Sequence, residues 1–446
     1  MSSSMQPVGR NAICPCGSGR RFKACCGNSA LQPASAPGGP FAYQLQRALA
    51  LQQSGRLAEA EFVYREVLEH EPELADAMHM LGVIHLQAGN YAEALRRLYR
   101  AAELFDWRFP AVSHNLGLAI AALLIGRNEA QIQRLWEAYD GWRDGLRSGR
   151  RNVHPCVSVI VAGLDHADGI ETVLESVFAQ SYALIELIVV DGSVERLRPT
   201  LARSPYPWRI RASANHGAVA AINEAVAQST GDFVNVLVSD DRFAATRVET
   251  MVDAIARASA TWGFSRAALV GPGGSELSPG ISSRASELVY IVDDVAASDT
   301  VGMSFLSRNP AISPSALFFA RPIFDKVGGF RELPICYDWD FCLRASLISE
   351  PVYVPSAEYE HRLRVGNGML RPAEPAGQAA EAMFAAFYDA ALATQAPANP
   401  FAPVPAVWGE RFFAQVLASG HAGSLPATVL RDLSVRVAAT CGAASC

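Results

Sequence analysis

The 446-residue sequence has neither a long hydrophobic run nor an excess of positive charge. Its longest apolar stretch, Leu116–Ile125, is too short to span a bilayer. The opening residues, MSSSMQPVGR, are not followed by the apolar segment of a secretory signal. A formal net charge of -6 argues against a broad nucleic-acid surface. We therefore expect a cytoplasmic protein with no transmembrane segment and no nucleic-acid partner; peripheral attachment to the inner face of a membrane is the alternative.

Cysteine is scarce except in one short segment. Four of the nine cysteines are Cys14, Cys16, Cys25 and Cys26. Disulfides are rare in the cytoplasm, so the cluster is better explained by metal ligation. Four thiolates suit tetrahedral Zn²⁺, and so short a segment needs a metal to fold. Free or redox-active cysteines are the alternative.

This segment, GRNAICPCGSGRRFKACCG, closely resembles the SEC-C motif, found at the C-terminus of the preprotein translocase ATPase and in many other bacterial proteins. The resemblance implies a zinc knuckle over residues 1–27 that contacts a protein partner. Residues 28–40, NSALQPASAPGGP, are rich in Pro, Ala, Gly and Ser and predict a flexible linker.

Residues 41–145 have a helical pattern with a period of 34 residues. Leu81-Gly82 recurs as Leu116-Gly117 with a shift of one residue. Four positions recur in full: Gly55, Ala60, Tyr64 and Val67 return as Gly89, Ala94, Leu98 and Ala101. Small residues at this period resemble the tetratricopeptide repeat, a helix-turn-helix unit. That predicts a docking surface for a protein or peptide; a helical spacer with an apolar core is the alternative.

Strands and helices alternate from Pro155 to about Val365. VSVIVA predicts a buried parallel strand, and Asp168 precedes a helix with its apolar residues on one face: Ile170, Val173, Leu174 and Val177. LIELIVV predicts a second strand that ends at Asp191. Ligands bind at the carboxyl ends of such strands. Asp191 is therefore placed to accept hydrogen bonds from a nucleotide base or ribose.

A third strand, FVNVLV, ends in Ser239, Asp240 and Asp241. Adjacent carboxylates at a strand end are the oxygen ligands that Mg²⁺ or Mn²⁺ prefers when it holds a diphosphate. The alternative is an ordinary polar turn, where Asp is common.

The order of these segments, followed by ISPSALFFARPIFDKVGGFRELPICYDWDFCLRAS, closely resembles family 2 glycosyltransferases of the GT-A fold. The resemblance implies an α/β nucleotide-diphospho-sugar transferase domain at 155–365, with a Rossmann-like mixed sheet. The all-α repeats and the zinc knuckle precede this domain, and a helical tail at 370–446 follows it.

The resemblance also implies roles for single residues. Asp338 resembles the general base, with Trp339 and Asp340 on the acceptor side. The divalent cation would be held by Asp240, Asp241 and His361. The nucleotide sugar would be bound by Asp191, Ser193, Asn215, Gly217 and Asp240. The chain departs from the family in three places. Ala162-Gly163-Leu164-Asp165 replaces a Pro-x-Tyr-Asn type sequence after the first strand, only one Asp precedes Gly192-Ser193, and Val238 replaces the first Asp of D-x-D.

These roles predict an inverting transfer of sugar from a nucleotide diphosphate to a glycan, lipid-linked or protein acceptor. Because the motifs are altered, a non-catalytic adaptor with a vestigial sugar-nucleotide domain is the alternative. A nucleotidyltransferase or another nucleotide-binding α/β enzyme is a third reading, which leaves YDWDFCLR unexplained.

Overall fold

The computed structural model describes residues 40–125, 129–148, 154–162, 169–191, 194–211, 217–238, 241–271, 291, 294–362 and 374–443. The predicted zinc ligands Cys14, Cys16, Cys25 and Cys26 lie outside these ranges. Three residues of the predicted nucleotide-sugar site also lie outside these ranges: Ser193, Asn215 and Asp240. So does Asp168, which precedes the first predicted helix of the transferase domain. What the sequence predicts for these residues stays a prediction.

The secondary structure begins with helices and continues as alternating strands and helices. The helices are α1 (Ala42–Gln53), α2 (Leu57–His70), α3 (Ala75–Gln87), α4 (Tyr91–Leu104), α5 (Pro110–Leu124), α6 (Glu129–Ser148), α7 (Ile170–Phe178), α8 (Val194–Leu201), α9 (Ala218–Gln228), α10 (Arg247–Ala258), α11 (Val301–Ser304), α12 (Arg321–Val327), α13 (Tyr337–Ser346), α14 (Glu374–Ala393), α15 (Pro405–Trp408), α16 (Glu410–Ala418) and α17 (Ala427–Ala443). The strands are β1 (Val157–Ala162), β2 (Ile185–Val190), β3 (Trp208–Arg211), β4 (Phe233–Val238), β5 (Arg242–Phe243), β6 (Trp262–Val270), β7 (Leu317–Ala320) and β8 (Val352–Arg362). Among the described helices, none has the length and apolar content needed to cross a membrane.

The chain folds into two compact units. The first contains residues up to Glu129, together with Phe384–Asp389 and Trp408–Cys446. The second contains Ala130–Met383 and Ala390–Val407. Most of α6 therefore belongs to the second unit, and the C-terminal helices are divided between the two units.

In the first unit, glycines end the first helix of each repeat. Gly55 follows α1 and Gly89 follows α3, with φ angles of 82° and 78°. This left-handed conformation closes a helix C-terminus and favours glycine. The recurrence of glycine after 34 residues therefore marks the turn of each helix-turn-helix unit.

Close helix crossings explain the second recurring glycine. A Cβ atom on Gly82 in α3 would lie 2.7 Å from Cγ of Leu98 in α4. On Gly117 in α5 it would lie 2.6 Å from Cβ of Ala422 and 3.1 Å from Cδ2 of Leu417 in α16. Thus α16 and the turn after it pack on α5 as α4 packs on α3. The C-terminal segment therefore packs on the last N-terminal helix that lies wholly in the first unit.

The second unit is built on a sheet with the strand order β3-β2-β1-β4-β7-β6-β8-β5. Strands β3, β2, β1 and β4 are parallel, whereas β7 is antiparallel to both β4 and β6. Every residue of β1 and β2 is buried, including the polar Ser158 and Glu186, as predicted for parallel strands inside the sheet. The apolar face of α7 is buried as well. This architecture confirms the predicted Rossmann-like mixed sheet after a helical repeat region.

The parallel register fixes where the site lies. Ala162 at the end of β1 pairs with Val190 on one side and Val238 on the other. Asp191 follows Val190, and Asp241 lies three residues after Val238. Both carboxylates therefore come to the same edge of the sheet, on either side of β1.

Residues after α14 contribute to the second unit through Asn399 and Phe401. Asn399 Nδ2 donates to Ser346 O at 2.7 Å and to Glu350 Oε2 at 3.0 Å. The Phe401 ring packs edge-on to Tyr139 of α6, with centroids 5.3 Å apart. The Pro-rich sequence after α14 is therefore a packed segment of this unit.

Candidate active site

Asp191 and Gly217 are the predicted nucleotide-binding residues that the structure describes. Asp191 is buried at the carboxyl end of β2, with 4% of its surface exposed. Gly217 precedes α9 with a φ of 85°, which favours glycine. A helix N-terminus follows, and the backbone N–H groups of such a terminus favour phosphate.

Asp241 and His361 form a buried pair. Asp241 Oδ1 lies 3.0 Å from His361 Nδ1, and the two residues are 2% and 7% exposed. Strand pairing brings them together: β5 begins directly after Asp241 and pairs with β8, so that Arg242 lies opposite Glu360. The pairing places the last carboxylate of Ser-Asp-Asp against a histidine 120 residues away.

The other oxygen of Asp241 is also engaged. Ser313 Oγ donates to Asp241 Oδ2 at 2.9 Å. The backbone N–H of Arg362 makes a longer contact of 3.4 Å to Oδ1. These contacts orient the carboxylate, which in turn orients the imidazole. A cation bound by this histidine would use Nε2, because Nδ1 faces Asp241.

Asp338 lies in the first turn of α13 and is 7% exposed. Asn309 Nδ2 donates to its Oδ2 at 2.8 Å. Burial raises the pKa of Asp338 above its usual value, while the Asn309 hydrogen bond, backbone N–H groups and the nearby His361 work against this rise. A buried carboxylate with a raised pKa is suited to accept a proton near neutral pH.

The neighbours of Asp338 in α13 are tied to the fold. Asp340 is 2% exposed and accepts from Arg344 Nε at 2.8 Å, with Arg331 Nη1 3.3 Å away. Arg344 also donates to Gly329 O at 2.9 Å. Trp339 is half-buried, and its indole N–H donates to Phe305 O at 2.8 Å. Asp340 is therefore committed to an ion pair, unlike Asp338.

Arg247 is a site residue that sequence reasoning missed. Its side chain is fully buried and donates to Ser315 O at 2.7 Å, Ala316 O at 3.0 Å and Ala357 O at 2.7 Å. Burial lowers the pKa of Arg247 to about 9, partly opposed by Tyr359 and Asp241. The guanidinium thus ties the chain after Ser313 to β8 through buried backbone carbonyls. An arginine in the first turn of an amphipathic helix gives no sequence signal of this role.

Within the described ranges, no three His, Cys, Asp or Glu side chains are grouped as a metal site. Of the predicted cation ligands, the structure brings Asp241 and His361 together, and Asp240 lies outside the described ranges.

Comparison with protein families identifies three segments. Residues 158–301 match the model described as Glycosyl transferase family 2. Residues 10–28 match the SEC-C motif, and residues 51–105 match a tetratricopeptide repeat. No curated protein sequence matches the chain.

Comparison with solved structures finds two sugar-nucleotide complexes. S. aureus TarS 1-349 in complex with UDP-GlcNAc is 16% identical, with a TM-score of 0.41; the match covers 55% of this chain and 68% of the TarS 1-349 chain. The mannosyltransferase PcManGT from Pyrobaculum calidifontis, in complex with GDP-Man and Mn²⁺, is also 16% identical, with a TM-score of 0.43; the match covers 73% of this chain and 87% of PcManGT.

Proposed function

We propose that this glycosyltransferase, with its family 2 match at residues 158–301, moves a sugar from a nucleotide diphosphate to an acceptor hydroxyl with inversion. The acceptor is a glycan, a lipid-linked molecule or a protein. The observation that supports the proposal is the buried carboxylate of Asp338, which accepts from Asn309 four residues before Ser313, the donor to Asp241. One short stretch of chain thus links the proposed proton acceptor to the Asp241–His361 pair.

The acceptor hydroxyl is a weak nucleophile, so a base must take its proton as the new bond forms. In the proposed step the hydroxyl oxygen bonds to the anomeric carbon while the bond from that carbon to the diphosphate breaks. The electron pair leaves with the diphosphate, and the proton moves to a carboxylate oxygen of Asp338. A single displacement of this kind inverts the anomeric centre. Trp339 would line the acceptor side, and Asp340 would hold α13 in place through Arg344.

The donor would lie at the sheet edge where β2 and β4 end. Asp191 would accept hydrogen bonds from the base or ribose, as its position at a strand end favours. Ser193, Asn215 and Gly217 would contact the phosphates or the sugar. The N-terminus of α9 behind Gly217 supports this assignment, because helix N-termini favour anions.

The residues present suit Mg²⁺ or Mn²⁺. Asp240 would supply a carboxylate, and His361 would supply Nε2 while Asp241 holds its ring. A bound divalent cation neutralises the charge that develops on a leaving diphosphate. The fit rests on the chemistry of Asp241 and His361, which form a carboxylate–histidine pair typical of metal-ligand support.

The N-terminal segment is proposed to bind one Zn²⁺ through Cys14, Cys16, Cys25 and Cys26. Its match to the SEC-C motif over residues 10–28 supports this. The zinc knuckle and the repeats would recruit a protein partner or the acceptor. We propose a cytoplasmic location, with peripheral attachment to the inner face of a membrane as the alternative.

The test is a screen of UDP-, GDP- and dTDP-hexoses against the full chain, with and without Mn²⁺ or Mg²⁺. We expect at least one donor to bind and to release its nucleoside diphosphate slowly in a metal-dependent manner. If no donor binds or is hydrolysed under any condition, the adaptor interpretation replaces the enzyme.

A further inference from the structure

One short stretch of chain contacts both carboxylates of the site. Asn309 Nδ2 donates to Asp338 Oδ2 at 2.8 Å, and Ser313 Oγ donates to Asp241 Oδ2 at 2.9 Å. This stretch, Asn309–Ser313, therefore spans from the proposed base to the carboxylate that holds His361. It is named the bridging segment below.

Hydrogen bonds fix the shape of the bridging segment. Asn309 Oδ1 accepts from Ala311 N at 3.2 Å, and Asn309 O accepts from Ile312 N at 3.1 Å. Tyr359 Oη donates to Ala311 O at 3.0 Å from β8, two residues before His361. The side-chain amide of Asn309 thus uses its oxygen within the segment and its nitrogen on Asp338.

The backbone of the segment is strained at Ile312. Its φ is 66°, in the left-handed region, although isoleucine is β-branched. This conformation is unfavourable for an L-residue, because Cβ comes too close to the following carbonyl oxygen. Such strain persists only where the surroundings enforce it, and it concentrates at functional sites. Here the surroundings include a closely packed core, since Ile312 is 6% exposed.

The segment is also anchored where it continues. Ser315 Oγ accepts from Val238 N at 3.1 Å, at the end of β4. The buried Arg247 holds the carbonyls of Ser315 and Ala316. Hydrogen bonds from β4 and from the buried Arg247 guanidinium therefore oppose a displacement of the bridging segment.

We propose that Asn309 is a positioning residue that aims the carboxylate of Asp338 at the acceptor hydroxyl. This inference rests on the proposed function of Asp338 as the base. The amide N–H fixes one carboxylate oxygen, favours the ionised form and sets the rotation of the other oxygen. Because Ser313 of the same segment donates to Asp241, the segment also fixes the position of Asp338 relative to the Asp241–His361 pair, where the diphosphate would bind.

The competing explanation is that Asn309 only stabilises its own turn. Two substitutions distinguish these roles. Asn309→Asp keeps the size and the oxygen that accepts from Ala311, but it replaces the amide donor with a second carboxyl group beside Asp338. Asn309→Ala removes both contacts and adds no charge. A residue that only stabilises its turn would lower the melting temperature in Asn309→Ala and leave kcat within threefold, whereas a positioning residue would lower kcat in both variants.

The experiment measures kcat and donor KM for the best donor of the screen, with the melting temperature recorded for each variant. We expect Asn309→Asp to lower kcat by about 10–100-fold, as misplacement of a catalytic group by about an ångström does, with donor KM within threefold. A kcat within threefold of wild type for Asn309→Asp would overturn the proposal.

A double-mutant cycle with Asp338→Asn adds a second readout. If Asn309 acts through Asp338, then Asn309→Asp should cause less than about a twofold further loss in the Asp338→Asn background. A full, additive loss in that background would also overturn the proposal. If Asp338→Asn itself has wild-type kcat, the base assignment fails and this inference fails with it. Loss in Asp338→Asn with normal rates in Asn309→Asp rejects the inference alone.

Discussion

Asp241 and His361 are separated by 120 residues in the chain, yet Oδ1 of one lies 3.0 Å from Nδ1 of the other. Both side chains are buried, so the contact has little competition from water. The second Asp of Ser-Asp-Asp, Asp241, therefore contacts a buried histidine and is not exposed at the surface. It leads to the first prediction.

Asp241→Asn should raise the Mn²⁺ concentration needed for half-maximal donor turnover by about 10–100-fold, the usual effect of removing the partner of a metal-ligating histidine. The amide keeps the side-chain size and can still accept from Ser313, but it removes the charge facing His361. Metal titrations at saturating donor measure this effect. Asp253→Asn, an exposed residue on α10, is the control. An unchanged metal requirement would remove Asp241 from the cation site.

Asp338→Asn should lower the rate of sugar transfer by roughly 10²–10⁴-fold, the usual contribution of a general base. Donor affinity should change little, because Asp338 is placed on the acceptor side. Asp325→Asn, an exposed residue on α12, is the matched control. If Asp338 only supports the N-terminus of α13, the variant would instead lose about 1 kcal/mol of stability and keep its rate.

Glu350 predicts a pH dependence of stability. Burial raises the pKa of Glu350 to about 7, although Asn399, Gly302 and Thr300 donate hydrogen bonds to it. The folded state therefore binds this proton more tightly than the unfolded state. The resulting stability is fully present below the unfolded value near 4.5 and is lost as the pH rises to about 7.

Accordingly, the melting temperature of Glu350→Gln relative to wild type should rise between pH 5 and pH 8. The rise in the pKa of Glu350 from 4.5 to about 7 corresponds to a loss of wild-type stability on the order of 3 kcal/mol across this pH window. Calorimetry of the full chain at several pH values measures it, and Glu332→Gln, which is exposed, serves as control. A constant difference between the melting curves of Glu350→Gln and wild type would contradict the assignment.

Gly117→Ala should destabilise the first unit. The added Cβ would lie 2.6 Å from Cβ of Ala422, so helix α5 must move away from the C-terminal segment. Overpacking of this kind costs roughly 1–3 kcal/mol. Gly141→Ala in α6 is the matched change, since nothing lies within 4 Å of its Cβ position. It should stabilise its helix by about 0.5–1 kcal/mol. Equal melting behaviour of the two variants would argue against the close contact.

The purified protein should contain about one zinc per chain, as expected for a site of four thiolates. The Cys25→Ser, Cys26→Ser double variant should lose this zinc, which elemental analysis detects. Full retention of zinc in the double variant would exclude these ligands. Because the sequence predicts a flexible linker at residues 28–40, donor turnover should survive deletion of residues 1–27.

Local pattern was enough to predict β1, β2 and β4 of the eight-stranded sheet. Their sequences are mostly apolar because the strands are buried inside the sheet, and each strand is followed by polar residues. The carboxyl ends of parallel strands share one edge, so Asp191 and Asp241 could be placed there from sequence. The 34-residue period likewise marks the glycine turns at Gly55 and Gly89.

The contacts that organise the site were decided by the tertiary structure. Asn309 donates a hydrogen bond to Asp338, 29 residues later, and Arg247 donates one to Ala357, 110 residues later. Gly117 of α5 packs closely against Ala422, which follows α16. Such contacts leave no periodic trace in the sequence, because they depend on how separate elements pack rather than on a repeat within one element. The sequence by itself determined the carboxylates and the histidine of the candidate site. Only packing determined that Asp241 contacts the histidine and that Asp338 accepts from Asn309, because these contacts join separate elements.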